Sequence, residues 1–302
     1  MTVDPDLLHD RRRLKRRLAM WRLLAIVAVA AGIVAAFARF DGAALRDHVA
    51  RLDINGLVVA DPVLIEAIDA VAEDQRAKAL IVRIDSPGGT FVGGETIYRA
   101  LRRVAAEKPV VAVMSTLATS GGYMVAIAAD RIFALEGTVT GSIGVILQTA
   151  DVTGLLGKLG VKAEAIKSAP LKAVPSPLEP LTDEARAATQ AVIDDLYGRF
   201  MSMVAERRGY DEAGARAVAD GRIYTGRQAL ENGLIDEIGD EIEARRWLDT
   251  VKNVAEDLPL EDVEIDYPSG GFLAGLGAMT RNISLPERLI LDGVVSVWHP
   301  SP

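Results

Sequence analysis

The 302-residue chain contains no cysteine, and histidine occurs only three times, at His9, His48 and His299. The missing thiols exclude disulfides, thiolate catalysis and cysteine-based zinc sites, while leaving the redox compartment open. Three widely spaced histidines argue against a histidine-centred metal site, so no metal and no cofactor is expected. They flank the N-terminal apolar segment or lie close to the C-terminus, so no histidine is expected in the globular body and a Ser-His-Asp triad is disfavoured. A basic stripe is also missing beyond the first residues. With a formal net charge of −8, nucleic acid is excluded as an expected partner. Internal repeats and low-complexity segments are absent. Half of the residues are apolar, enough for a substantial core.

What is present is an alternation of short apolar runs with helical periods. Leu52 to Ala60, Ala79 to Ile84, Val110 to Met114, Arg131 to Ala134 and Val145 to Leu147 read as strands. Pro62 to Asp74 and Gly94 to Ala106 read as helices between them. Such spacing predicts an α/β fold with a mostly parallel sheet covered on both faces. Sites in these sheets form beyond the C-terminal strand ends, where Pro87-Gly88-Gly89 and Ser120-Gly121-Gly122 read as glycine-rich turns. A proline-punctuated loop then runs to Thr182, the predicted N-cap of a long helix with Ala185, Ala188, Val192, Leu196, Phe200 and Met203 on its core face. A second short helix follows from Asp211 to Asp220. The stretch Gly221 to Asp236 reads as turn, capped helix, glycine stop and strand.

Ser120 stands at a strand-to-helix turn, where it can attack a carbonyl and have the oxyanion held by backbone N–H groups. With histidine scarce, the remaining common base is a desolvated lysine, and Lys172 is the candidate. A lysine serves as a base near neutral pH only where burial destabilises its ammonium and no carboxylate opposes the loss of the proton. The acids nearest to Lys172 in sequence are Glu164 and Glu179. The same residues also fit a plain tight turn and a solvated loop charge.

The first 22 residues carry seven basic and three acidic side chains, and Leu23 to Ala38 is uncharged. Residues 1–18 read as a basic cytoplasmic segment and 19–38 as a transmembrane anchor of about one hydrocarbon thickness. The positive-inside rule then leaves the body outside the bacterial cytoplasmic membrane. Ala36-Phe37-Ala38 also fits a signal-peptidase cleavage site. Residues 39–50 read as a linker, 51–256 as the catalytic domain and 257–302 as a C-terminal extension.

Several segments in one order resemble the bacterial signal peptide peptidases, serine peptidases of the S49 type in their short form. These are Asp85-Ser86-Pro87-Gly88-Gly89, Ser120-Gly121-Gly122-Tyr123, Thr140-Gly141-Ser142-Ile143-Gly144-Val145, Lys167-Ser168 with Lys172, Ser176-Pro177, and Gly221-Arg222 with Tyr224 to Leu230. The resemblance implies a Clp/crotonase-like ββα superhelix. It makes Ser120 the nucleophile, Lys172 the general base and Ser142 the hydroxyl that orients the lysine. Gly88 and Gly121 become the oxyanion hole. It further implies a homo-oligomer acting on peptide substrates such as signal-peptide remnants at the bilayer. Around the lysine, Ala169 and Ala173 replace a glycine and an acid of the family pattern. Two other classes share parts of this pattern: a crotonase-like acyl-CoA enzyme and a catalytically inactive membrane scaffold.

Overall fold

Ala79 to Ile84 is apolar except at Arg83, and Val110 to Met114 is apolar throughout. A strand can bury every residue only if both faces are covered, and both are. Leu80, Val82, Ile84, Ala112 and Met114 belong to one core cluster, and Ala79, Ile81, Val111 and Val113 to another on the opposite face. The computed structural model describes residues 17–18, 20–32 and 46–267, together with the backbone of 295–297.

The chain divides into an N-terminal unit to Asp47 and a second unit from His48. In the first, residues 20–32 are helical. Among the described residues no helix is long and apolar enough to cross a membrane. The expected anchor at 19–38 lies partly outside those residues.

The second unit opens with β1 (His48–Val58), α1 (Pro62–Glu73), β2 (Ala77–Thr90), α2 (Phe91–Glu107) and β3 (Val110–Thr119). Next come α3 (Gly121–Ala126), β4 (Arg131–Ala134), β5 (Val139–Gly141) and α4 (Thr153–Lys158). The long α5 (Asp183–Arg208), α6 (Glu212–Val218), β6 (Ile223–Thr225) and α7 (Gly226–Glu231) precede β7 (Glu237–Ile238), α8 (Glu241–Lys252) and β8 (Leu260–Asp262). Residues Val295–Val297 form β9. The α/β class and mostly parallel sheet are as expected. The sheet order is β6-β5-β3-β2-β1-β8, with β4 beside β3, β7 beside β4 and β9 beside β2. Pairings are parallel except β5 with β6 and β2 with β9.

Helices α1, α2, α3 and α5 contribute Ile68, Ile97, Leu101, Met124 and Phe200 to one face, and α8 contributes Ala244 and Leu248 to the other. Thr182 caps α5 by accepting from the Ala185 N–H, and Thr225 with Gln228 forms a capping box on α7.

Four expectations need correction. The strand read at Val145–Leu147 is not formed; β5 lies earlier, because Gly141 and Ser142 adopt φ of 85° and 51° and turn the chain out of the ladder. Pro87-Gly88-Gly89 is not a tight turn but belongs to the end of β2, with Gly88 and Gly89 still paired to Leu57 and Val58 after a bulge. Ala188 and Val192 of α5 are exposed rather than core, since only the C-terminal half of that helix reaches the sheet face through Phe200 and Val204. Finally, a histidine does lie in the body. His48 begins β1, 8% exposed, with Asp74 and Glu261 at 3.6 and 3.5 Å.

Candidate active site

β3 and β5 run side by side with Ala118 opposite Thr140 and Thr119 opposite Gly141. Each strand then turns at a serine. Ser120 has φ 53° and ψ −117°, and Ser142 has φ 51°. A non-glycine residue at positive φ costs on the order of 1–3 kcal/mol and persists only where its surroundings hold it. Here the Ser120 N–H donates to the Gly141 carbonyl at 2.8 Å, and the Ser142 N–H donates to the Arg222 carbonyl at 2.8 Å. The Ser120 carbonyl accepts from the Met124 N–H at 2.9 Å, starting α3. Ser120 is 1% exposed and Ser142 half-buried. The fold therefore brings Ser120 and Ser142 to adjacent turns.

Gly121 backs onto the end of β2. A Cβ at this position would stand 3.1 Å from the Gly89 nitrogen and 3.4 Å from the Gly88 Cα, so any side chain would press on the β2 backbone, and glycine lets the two backbones meet without that shift. Gly121 is also the first residue of α3, a position whose N–H has no acceptor within its helix. Gly88 sits at φ 102°, and its N–H donates to the Ser86 hydroxyl at 3.1 Å. An oxyanion at this point would compete with Ser86 for that donor. The sequence reading missed Ser86, because its segment read as a turn in which any short polar residue is expected. It also missed Thr119, whose buried hydroxyl has no hydrogen-bond partner among the described residues; a threonine in a strand carries no sequence signal of that kind.

The end of β2 offers more than two amides. Gly88 and Gly89 pair with β1 on one side and with β9, antiparallel, on the other. The pairing of β2 with β3 ends at Ser86 opposite Ala118, so β9 lies on the edge that β3 vacates as it turns at Ser120. An extended chain thus fits beside the serine through main-chain hydrogen bonds.

Lys172 is not brought to Ser120 by any contact among the described residues. It is exposed, and its recorded bond is from its own N–H to the Ala169 carbonyl at 3.0 Å. His48 pairs with Ala77 at the amino end of the parallel strands, whereas Ser120 follows the carboxyl end of β3. The histidine in the body thus sits at the wrong edge to serve the serine. Asp85 accepts from the Leu117 N–H at 3.1 Å and braces the neighbouring strand. Behind the site the Tyr123 hydroxyl donates to the Leu234 carbonyl at 2.8 Å, and complete burial pushes its phenol above the ordinary range. That bond ties α3 to the segment after α7. Among the described residues no group of three metal-ligating side chains converges.

The sequence profile described as peptidase family S49 matches residues 102–255. A Synechocystis protein named as a protease is 39% identical over 251 residues, 81% of this chain and 90% of the relative. An Enterococcus faecium protein named as a signal peptide peptidase is 36% identical over 231 residues, covering 76% of this chain and 66% of the relative. Among solved structures, a ClpP1 mutant from Listeria monocytogenes aligns with a TM-score of 0.41 at 18% identity, over 63% of this chain and 91% of that one. With the profile matched over half of its residues and a relative spanned along most of its length, the chain belongs to peptidase family S49.

Proposed function

We propose that the chain is a membrane-anchored serine endopeptidase that degrades residual signal peptides or other membrane-proximal peptides with a Ser120–Lys172 dyad. The observation that carries this reading is the buried Ser120 at positive φ, set against Gly88 and Gly121 and beside Ser142. Lys172 Nζ takes the Ser120 Oγ proton as Oγ adds to the scissile carbonyl carbon. The carbonyl oxygen becomes an oxyanion facing the Gly88 and Gly121 amides. The C–N bond breaks, the amine leaves with the proton held by Lys172, and a water deprotonated by the same lysine hydrolyses the acyl ester. Ser142 orients the lysine. The substrate lies extended along Gly88–Thr90, in the manner of β9.

A lysine acts as a base where its side chain is desolvated, and Lys172 is exposed in the single chain, so it needs cover. The same arm exposes Leu155, Leu159, Val161, Ile166, Leu171 and Leu178. A second copy of the chain, packed head to tail in a closed ring, would bury these residues and desolvate the lysine.

Reacting the detergent-solubilised protein with a fluorophosphonate, followed by mass spectrometry, should locate a single adduct on Ser120. Absence of any adduct would favour the inactive scaffold. The membrane reading is tested separately. Protease added to intact spheroplasts should digest the body and spare the N-terminus, and a soluble form beginning at Arg39 would overturn the anchor.

A further inference from the structure

From 157 to 173 every residue is exposed except Lys167. Ile166, its neighbour, is fully exposed at 101%. A charge is covered while apolar side chains face outward, the reverse of what burial alone would produce. The covered ammonium meets the Glu179 carboxylate, and the two side chains are 15% and 35% exposed.

This ion pair spans the neck of the loop that carries Lys172. The other bonds of the loop are local: Lys172 N–H to the Ala169 carbonyl at 3.0 Å and Leu178 N–H to the Ser176 hydroxyl at 3.2 Å. The returning limb is tied to the rest of the protein where Pro177 accepts from the Val152 N–H at 3.0 Å. Apart from that Val152–Pro177 bond at its base, Lys167 with Glu179 is the only hydrogen bond or ion pair among the described residues joining the outgoing limb to the returning one. Ala169 and Ala173 have no side-chain polar atom with which to do so. The two lysines are thereby distinguished: Lys167 is committed to a carboxylate, and the Lys172 side chain has no hydrogen bond or ion pair among the described residues.

We propose that the Lys167–Glu179 pair is a positioning device for the peptidase reaction, closing the loop so that Lys172 Nζ is presented to the serine hydroxyl at a fixed place. The proposal rests on the dyad reading. The pair is half-buried and lies within one otherwise exposed loop, so its removal should leave the core folded, whereas a displacement of about 1 Å at a base can cost about a hundredfold in rate.

The test uses the full chain in detergent. Glu179→Gln and Lys167→Met should each lower kcat and the rate of fluorophosphonate acylation by about a hundredfold. KM, thermal midpoint and oligomer size should stay at wild-type values. The reversed pair, Lys167→Glu with Glu179→Lys, should restore most of the loss. Wild-type kcat in both single variants overturns the proposal. So does a loss that tracks the thermal midpoint and is not restored by reversal, which would mark the pair as merely structural. Lys172→Ala is run alongside: full turnover there would sink the dyad itself rather than the positioning role.

Discussion

Ser120 and Ser142 are each the first residue beyond a pair of parallel strands in register, and both adopt positive φ, 53° and 51°. The Ser120 amide is bonded to the carbonyl of Gly141, so the residue next to its acceptor is Ser142 itself. Two strained hydroxyl residues thus meet on neighbouring turns at the carboxyl edge of a sheet, where sites in such folds form.

Ser120→Ala and Lys172→Ala should each abolish peptide hydrolysis while leaving the thermal midpoint unchanged, because each removes a partner required for acylation. Ser142→Ala should cost less, about ten- to a thousandfold in kcat, as expected for an orienting group. Steady-state kinetics on a quenched peptide resolves the three. If Ser142→Ala matched the loss in Ser120→Ala, Ser142 would be part of the dyad rather than its support.

The exposed arm makes a prediction about assembly. Leu159→Asp and Ile166→Asp place a charge where 68% and 101% of the side chain is open in the single chain. Neither should change the fold of the protomer. Each should shift the detergent-solubilised protein toward monomer by light scattering and lower kcat in parallel, since the proposed ring is what desolvates Lys172. A monomer with full activity would remove the ring from the mechanism.

One cluster contributes a pH dependence of stability whose sign can be worked out. Burial pushes the Glu95 carboxyl upward, but hydrogen bonds from Arg199 and Arg99, each at 2.8 Å, outweigh it and hold the group below its ordinary value. A carboxyl whose folded pKa is depressed adds stability above the unfolded pKa of about 4.3 and loses it as pH falls through the folded value. Glu95→Gln should therefore lower the thermal midpoint at pH 7. The gap from wild type should close as pH is taken below about 4. A gap independent of pH would assign the effect to packing.

Thr119 carries a buried hydroxyl without a partner among the described residues, a state that costs about 1–3 kcal/mol. Thr119→Val keeps the shape and removes the polar atom, so it should raise the thermal midpoint by an amount equivalent to about 1 kcal/mol. Calorimetry decides it, and a lowered midpoint would mean that the hydroxyl makes a favourable bond in the protein in solution.

Local chemistry was legible without coordinates. Apolar runs at Ala79–Ile84 and Val110–Met114 marked central strands because a doubly covered strand has no polar face to alternate with. Thr182 and Thr225 announced their helices because capping is decided within four residues. The segments around Ser120 and Ser142 pointed to hydrolytic chemistry through their resemblance to the S49 peptidases. Tertiary structure alone decided the rest: β5 ending opposite Thr119, the pairing that keeps Gly88 within β2, the exposure of Lys172, and Lys167 closing onto Glu179. Each depends on which distant backbone or charge comes to lie alongside. That is a matter of register and burial between segments far apart in the chain, and residue order carries no direct measure of it.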